Sequence, residues 1–238
     1  MNTMGYYGYG FDWTYLMVLA GAFLSMWASA RVNSTFHKYA GERSMSGMTG
    51  AQVARAILDR NGLSEIPVEH VQGNLSDHYD PGRRVLRLSD STYRSVSVAA
   101  IGVAAHECGH ALQHKEGYGP LKLRSTIIPA ANLGSRLGIP IILLGLFFGA
   151  GGSFLVNLGI WVFSIAVLFQ IITLPVEFNA SARALAVLEK YGILGVEENK
   201  KAKKVLSAAA MTYVAAAASS ILQLLRLVIL FGGRRSRD

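Results

Sequence analysis

LGIPIILLGLFFGAGGSFLVNLGIWVFSIAVLFQIITLPV, residues 137–176, is the stretch that decides the architecture. Forty residues pass without an Asp, Glu, Lys or Arg, about twice the length a helix needs to cross the hydrocarbon core of a bilayer. Gly149-Ala150-Gly151-Gly152-Ser153 falls near the middle and supplies turn chemistry. The stretch therefore predicts a transmembrane hairpin, whose two arms leave the membrane on the side they entered. Working outward, Trp13–Ala30 is an uncharged run of 18 residues, and Val205–Leu225 is a further apolar run, rich in Ala and Ser and followed by Arg226. Its small side chains suit close helix packing in lipid. The whole chain agrees: 238 residues, 51% hydrophobic, 16% charged, with mean hydropathy +0.32. These values exclude a disordered chain or an ordinary polar domain.

The first run is preceded by residues 1–11, which carry no Lys or Arg, so the basic segment of a signal peptide is missing despite Ala28-Ser29-Ala30. It reads as an anchor. Segment 31–136 holds 13 Lys and Arg and segment 177–204 holds 6. By the positive-inside rule both face the cytoplasm and the N-terminus faces out. Four crossings would then leave the tail outside, against the preference of Arg234, Arg235 and Arg237. The basic pI of 9.7 is explained by this topology, and no nucleic-acid motif is present. The single Cys, Cys108, forms no internal disulfide and reads as a small core residue.

Just upstream of the hairpin, His106-Glu107-Cys108-Gly109-His110 has the H-E-x-x-H spacing. On a helix, residues four apart leave the same face, so the two imidazoles can grip one zinc ion. Glu107, one step round, can reach a water on that ion and act as general base. The run from Ser97 to Ala105 and Ala111-Leu112 is small and apolar, which predicts a buried helix whose polar groups need partners. Catalytic zinc takes three protein ligands and keeps a position open. The extended metzincin spacing fails, because Gln113 and Glu116 stand where it needs Gly and His. His114 is about 12 Å of helix rise from His106, too far to share its ion, and reads as a rim residue. The best third ligand is Glu177, which the hairpin returns to the face that carries the histidines. The other reading of Glu177 is an ion pair with Arg183 or a place beside a helix N-cap.

Before the site, residues 48–58 have helical spacing, with Thr49 as N-cap and Gly62 as stop. Val68–Val71 alternates like a strand. Leu75–Ser89 reads as a hairpin turning at Pro81-Gly82, with Val85, Leu86 and Leu88 in its second arm. That hairpin can offer an edge to which a substrate adds as a strand. Asp77, His78 and Asp80 allow a second metal site as an alternative to ordinary turn chemistry.

SGMTGAQVARAIL, NLSDHYDPGRRVLRLS, SVAAIGVAAHECGHALQH and EFNASARAL together resemble the YugP-like neutral zinc metallopeptidases of bacteria, over most of the chain. That family in turn resembles the HtpX-type membrane peptidases, where a transmembrane hairpin separates H-E-x-x-H from a Glu ligand. The resemblance implies one Zn2+ at His106, His110 and Glu177, with Glu107 as catalytic base. HtpX-type enzymes carry Asp four residues after the Glu ligand, where this chain has Ser181, so the supporting roles of Ser181, Asn179 and Arg183 stay open. Arg183 and His78 are the nominal candidates for an oxyanion donor.

The sequence thus predicts a membrane α+β protein, mainly helical. It would have about four transmembrane helices and a small β-containing, zincin-like catalytic lobe on the membrane surface. The segments are an anchor (1–30), the lobe with its H-E-x-x-H helix (31–136), the hairpin (137–176), a helix with the third ligand (177–204) and a C-terminal apolar helix with a basic tail (205–238). The predicted activity is that of a multi-pass zinc endopeptidase of the bacterial cell membrane. Its active site would face the cytoplasm, and its partners would be protein or peptide substrates, membrane proteins among them, the bilayer and a regulatory membrane partner. The alternatives are a scaffold that retains the zinc fold and a hydrolase of a non-peptide substrate.

Overall fold

Among the described residues, four helices are long and apolar enough to cross a bilayer: α1 (Tyr15–Ala40), α5 (Gly119–Phe147), α6 (Ser153–Lys190) and α7 (Val196–Phe231). The computed structural model describes residues 12–232. The N-terminal segment 1–11 and the arginines at 234, 235 and 237, on which the conflict over the tail rests, lie outside the described residues. Between the spans stand α2 (Gly50–Arg60), β1 (Val68–Val71), β2 (His78–Asp80), β3 (Val85–Ser89), α3 (Asp90–Tyr93) and α4 (Val98–Lys115).

The spanning helices form a row. α5 lies along α6, α6 along α7 and α7 along α1, while α1 and α5 stand at the two ends and do not pack along one another. Small residues set these approaches, as expected where lipid gives helices no hydrophobic reason to associate. A Cβ on Gly138 would stand 2.8 Å from the Phe163 Cβ, so only Gly lets α5 come this close to α6. Between α1 and α7, the Ser219 hydroxyl donates to the Gly21 carbonyl at 2.8 Å and meets the Ser25 hydroxyl at 3.1 Å. Toward the far end, Arg226 reaches Asp12 (3.5 Å) and Thr14 (3.2 Å) and lies over the Tyr15 ring, so its charge is partnered.

The elements differ from the charge-based segments in an instructive way. Arg136 marks no helix boundary: α5 begins at Gly119-Pro120, where Pro's missing N–H costs nothing. The hairpin turn is a single 3₁₀ turn at Gly149–Gly152, with Gly149 at φ 60°. α6 does not restart before Glu177. It continues through Pro175 as one helix to Lys190, so the second arm of the hairpin and the predicted ligand helix are one element.

The lobe packs on the end of this row. α2 starts at a capping box in which the Thr49 side chain takes the Gln52 N–H and the Gln52 side chain takes the Thr49 N–H. Gly62, at φ 65°, follows its end. The sheet order is β1-β3-β2, with β1 parallel and β2 antiparallel to β3, and Pro81-Gly82 turning between β2 and β3. β2 is thus an edge strand, as the hairpin reading requires. α4 starts at Ser97, whose hydroxyl accepts from the Ala100 N–H, and runs through the core between α2, α6 and α7. Ile101, Ala104, Ala105 and Cys108 are fully buried there. The Cys108 thiol donates to the Ala54 carbonyl, and burial pushes its pKa up, so it is a core residue.

Candidate metal centre

His106 and His110 leave α4 on the face that meets α6, one on each side of Gly109. A Cβ at Gly109 would stand 2.4 Å from the Ala180 carbonyl oxygen, so the helices cross here at the closest approach the backbone allows. That crossing brings in Glu177 and Ser181, which flank Ala180 by one turn and one residue. The Glu177 Oε2 lies 3.2 Å from His106 Nε2 and 3.5 Å from His110 Nε2. A tetrahedral ion bonded at about 2.0–2.1 Å sets its donor atoms about 3.3–3.4 Å apart. Both Glu177 separations match that spacing, and the three side chains form the one cluster of metal-ligand type among the described residues.

Each ligand is oriented by a second contact. His106 Nδ1 faces the Ser181 hydroxyl at 3.1 Å, and His110 Nδ1 faces the Gln113 Oε1 at 3.0 Å. Donation from both Nδ1–H groups leaves both Nε2 lone pairs directed at Glu177, the arrangement that a metal-binding imidazole needs. Ser181 therefore takes the contact that the resemblance gives to an Asp. Gln113, fully buried, also donates to the Val176 carbonyl (2.8 Å) and the Asn179 Oδ1 (3.0 Å), which ties α4 to α6. Arg124 on α5 donates to the other Glu177 oxygen, Oε1, at 2.8 Å. Oε2 is then the Glu177 oxygen that faces the two imidazoles and would hold an ion with them.

Glu107 is buried and points to the sheet side, where its Oε2 accepts the Tyr79 backbone N–H at 2.9 Å. Tyr79 belongs to the edge strand β2, and its phenol contacts His114 Nδ1 at 2.8 Å. His114 is thus not a ligand: it steadies the strand that holds the Glu107 carboxylate. Burial disfavours a charge on His110, but the Glu177 hydrogen bond and the nearby Glu107 and Glu177 carboxylates outweigh it and hold the imidazole above the ordinary histidine pKa.

Two cavities flank the cluster. One of about 200 Å³ opens between α1, α4 and α7, with Val32, Val103 and Leu206 in its wall. The other, of about 220 Å³, lies between β2 and α5 and includes Tyr79, Leu121 and Ile128. His106, Glu107, Glu177 and Tyr213 line both, so the centre stands at the junction of a single cleft.

The remaining sequence candidates have other partners. Arg183 pairs with Glu116 at 2.7 Å and with Asn179, away from Glu177, so neither the ion-pair reading of Glu177 nor an oxyanion role for Arg183 fits. Asp77 accepts from the Ser89 N–H and hydroxyl, both at 2.8 Å. Asp80 accepts from the N–H groups of Gly82 and Arg83, which hold its carboxyl below the ordinary range, and from Arg87. These carboxylates serve the turn. His78 lines the second cavity but is exposed, with Nδ1 on the Ser76 carbonyl. Arg124, Gln113 and Tyr213 were not singled out by sequence. An Arg and a buried Gln near the ends of apolar helices were the available signals.

Compared with known proteins, residues 14–232 match the family profile described as "Putative neutral zinc metallopeptidase". The "Putative membrane protease YugP" of Bacillus subtilis (strain 168) is 51% identical over 222 residues, covering 93% of this chain and 98% of that protein. No solved structure matches the chain.

Proposed function

Since this chain belongs to the putative neutral zinc metallopeptidase family, we propose that it is an integral membrane zinc endopeptidase with Glu107 as its general base. The observation that carries the reading is the Glu177 Oε2, at 3.2 and 3.5 Å from two oriented imidazole nitrogens, with a buried carboxylate one residue along the helix. His106, His110 and Glu177 would hold the ion. Zinc bound there supplies a Lewis acid and a water with its pKa lowered to about 7.

The chain's own groups do the rest. Glu107, with one oxygen fixed by the Tyr79 N–H, takes a proton from the attacking water and returns it to the departing amine. Arg124 holds the Glu177 Oε1 and so turns Oε2 toward the cluster. The open edge of β2 receives the substrate backbone as an added strand, which aligns the scissile bond with the cleft. The Tyr213 phenol, which lines both cavities, is the donor suited to the developing oxyanion. The catalytic lobe faces the cytoplasm in this reading, supported by the 12 and 6 cations of segments 31–135 and 177–204.

The test is cleavage of unfolded casein by the purified protein and by Glu107→Gln, with zinc content measured in both. Cleavage by the wild type alone, with zinc retained in both, is expected. Equal cleavage by both proteins overturns the role of Glu107. Zinc retained by both with cleavage by neither favours a scaffold that keeps the centre for stability.

A further inference from the structure

Among the described residues, Arg136 is a charge deep in a span that has no carboxylate partner. Arg136 on α5 follows eleven uncharged residues counted from Arg124 and precedes forty more. Its side chain is exposed and pairs with no carboxylate among the described residues, whereas Arg226 on α7 has Asp12. Arg136 lies about 18 Å along α5 from Arg124, the residue that holds Glu177. A lone guanidinium in a span is expensive and needs a counter-charge or a polar backbone group.

Its direction is informative. Seven and eleven helical residues beyond Ser125, Asn132 and Arg136 fall within about 20° of it. Ser125, with Ile128, lines the cavity between β2 and the metal centre. A polar stripe of Ser125, Asn132 and Arg136, all exposed, therefore runs from the mouth of the catalytic cleft down α5. α5 is also an end of the helix row, packed along α6 only, with no extended packing to α1 or α7. The face of α5 that carries Ser125, Asn132 and Arg136 is accordingly left uncovered by the other described spanning helices.

We propose that this stripe docks a membrane-spanning segment of a protein substrate, with Arg136 paired to an acidic side chain in that segment. The substrate class follows, resting on the peptidase reading above: membrane-anchored proteins whose chain leaves the bilayer next to α5. The segment lies along Ser125 and Asn132, and the adjoining extended chain passes into the cleft between α5 and β2. Arg136 here positions the substrate and touches none of the reacting atoms. An acid–guanidinium contact in lipid makes the docking selective, because an all-apolar helix leaves the charge as exposed as before.

The experiment uses the full-length Glu107→Gln protein in phosphatidylcholine vesicles, with a photoreactive benzoylphenylalanine at Asn132. The probe is a synthetic single-span Leu/Ala helix carrying either one Asp or one Leu at the depth of Arg136. The Asp helix is expected to crosslink about tenfold more than the Leu helix. Arg136→Leu, and independently Arg136→Gln, should remove the difference, and Arg136→Glu should transfer the preference to a helix carrying Lys. Equal yields for both probes, a preference that survives Arg136→Leu, or label found only on a second copy of the chain or on lipid would each overturn the proposal. Hydrolysis of a soluble unfolded peptide by protein with Glu107 intact is the separate arm. Arg136→Leu should leave it unchanged, and an equal loss there would overturn the positioning role. No soluble-peptide hydrolysis by the wild type would instead count against the peptidase reading, without touching the crosslinking result.

Discussion

Gly109→Ala adds one methyl group where α4 crosses α6, and the geometry allows its effect to be worked through. The new Cβ would lie 2.4 Å from the Ala180 carbonyl oxygen and 3.1 and 3.2 Å from its C and Cα. Comfortable contact needs about 3.5 Å, and the obstacle is backbone, so the helices must part by about 1 Å. His106 and His110 stand on one side of that crossing, Glu177 and Ser181 on the other. Metal–ligand distances tolerate only about ±0.2 Å, so a 1 Å parting takes the ligand set well outside its window. Overpacking costs about 1–3 kcal/mol, partly offset by the better helix propensity of Ala, about 1 kcal/mol. The fold should therefore survive with a small loss of stability, while zinc affinity falls about tenfold to a hundredfold, the range seen when ligand support is disturbed. Competition with a chromophoric chelator, alongside thermal unfolding with and without zinc, measures both. A folded Gly109→Ala protein with wild-type zinc affinity would refute the reasoning.

Glu107→Gln should lower kcat for peptide hydrolysis by about 10²–10⁴ with zinc content unchanged, read by steady-state kinetics and metal analysis. Arg124→Leu leaves the buried Glu177 carboxylate without its cation. It should destabilise the zinc-free protein by about 3 kcal/mol, the low end for a broken buried pair, because the Arg124 side chain is 25% exposed. Zinc should recover most of that loss in a denaturant titration, and an equal loss in both forms would disprove the link to Glu177. Ser181→Ala should weaken zinc about tenfold or more while Ser181→Asp retains it, measured by the same chelator competition. The raised thiol pKa of Cys108 predicts negligible alkylation by iodoacetamide in the folded protein and rapid alkylation once it unfolds. Since the folded pKa is the higher one, the stability this burial contributes is intact below the ordinary thiol pKa of about 8.5 and declines as pH rises above it. A denaturant midpoint series from pH 7.5 to 10 in wild type and Cys108→Ala isolates that slope.

The parts of this protein that were legible in its sequence are those written in local spacing. H-E-x-x-H states a shared helix face, the forty uncharged residues state a hairpin, and the return of that hairpin pointed to Glu177. Thr49 and Gly62 marked the limits of α2 through cap chemistry and a positive φ. What was not legible depends on how elements cross. Arg124, Gln113 and Tyr213 reach the centre from three helices, and no periodicity announces which polar side chains will meet there. The Tyr79 N–H that fixes Glu107 is a backbone group, invisible to any reading of residue types. Charge marks where a helix can leave lipid, whereas the helix itself continues as long as its hydrogen bonds do, so α5 and α6 run on through Arg136 and Glu177. Pro175 did not break α6.

That continuity makes α6 a lever arm. Glu177 lies 24 residues from Ser153, about 36 Å along the shaft, so a tilt of only 1° about the hairpin tip displaces the carboxylate by about 0.6 Å. The two histidines sit on α4, which does not span the bilayer, and would not follow. A change in bilayer thickness is a natural source of such tilts. The contact between Gly109 and Ala180, the Gln113 hydrogen bonds, the Arg183–Glu116 pair and the burial of Ala184 and Leu188 in the lobe's core clamp the lever to the lobe. The centre is also indivisible: an isolated segment 31–136 keeps both imidazoles and Glu107 yet has no Glu177, so a soluble fragment of the lobe would carry two ligands of three.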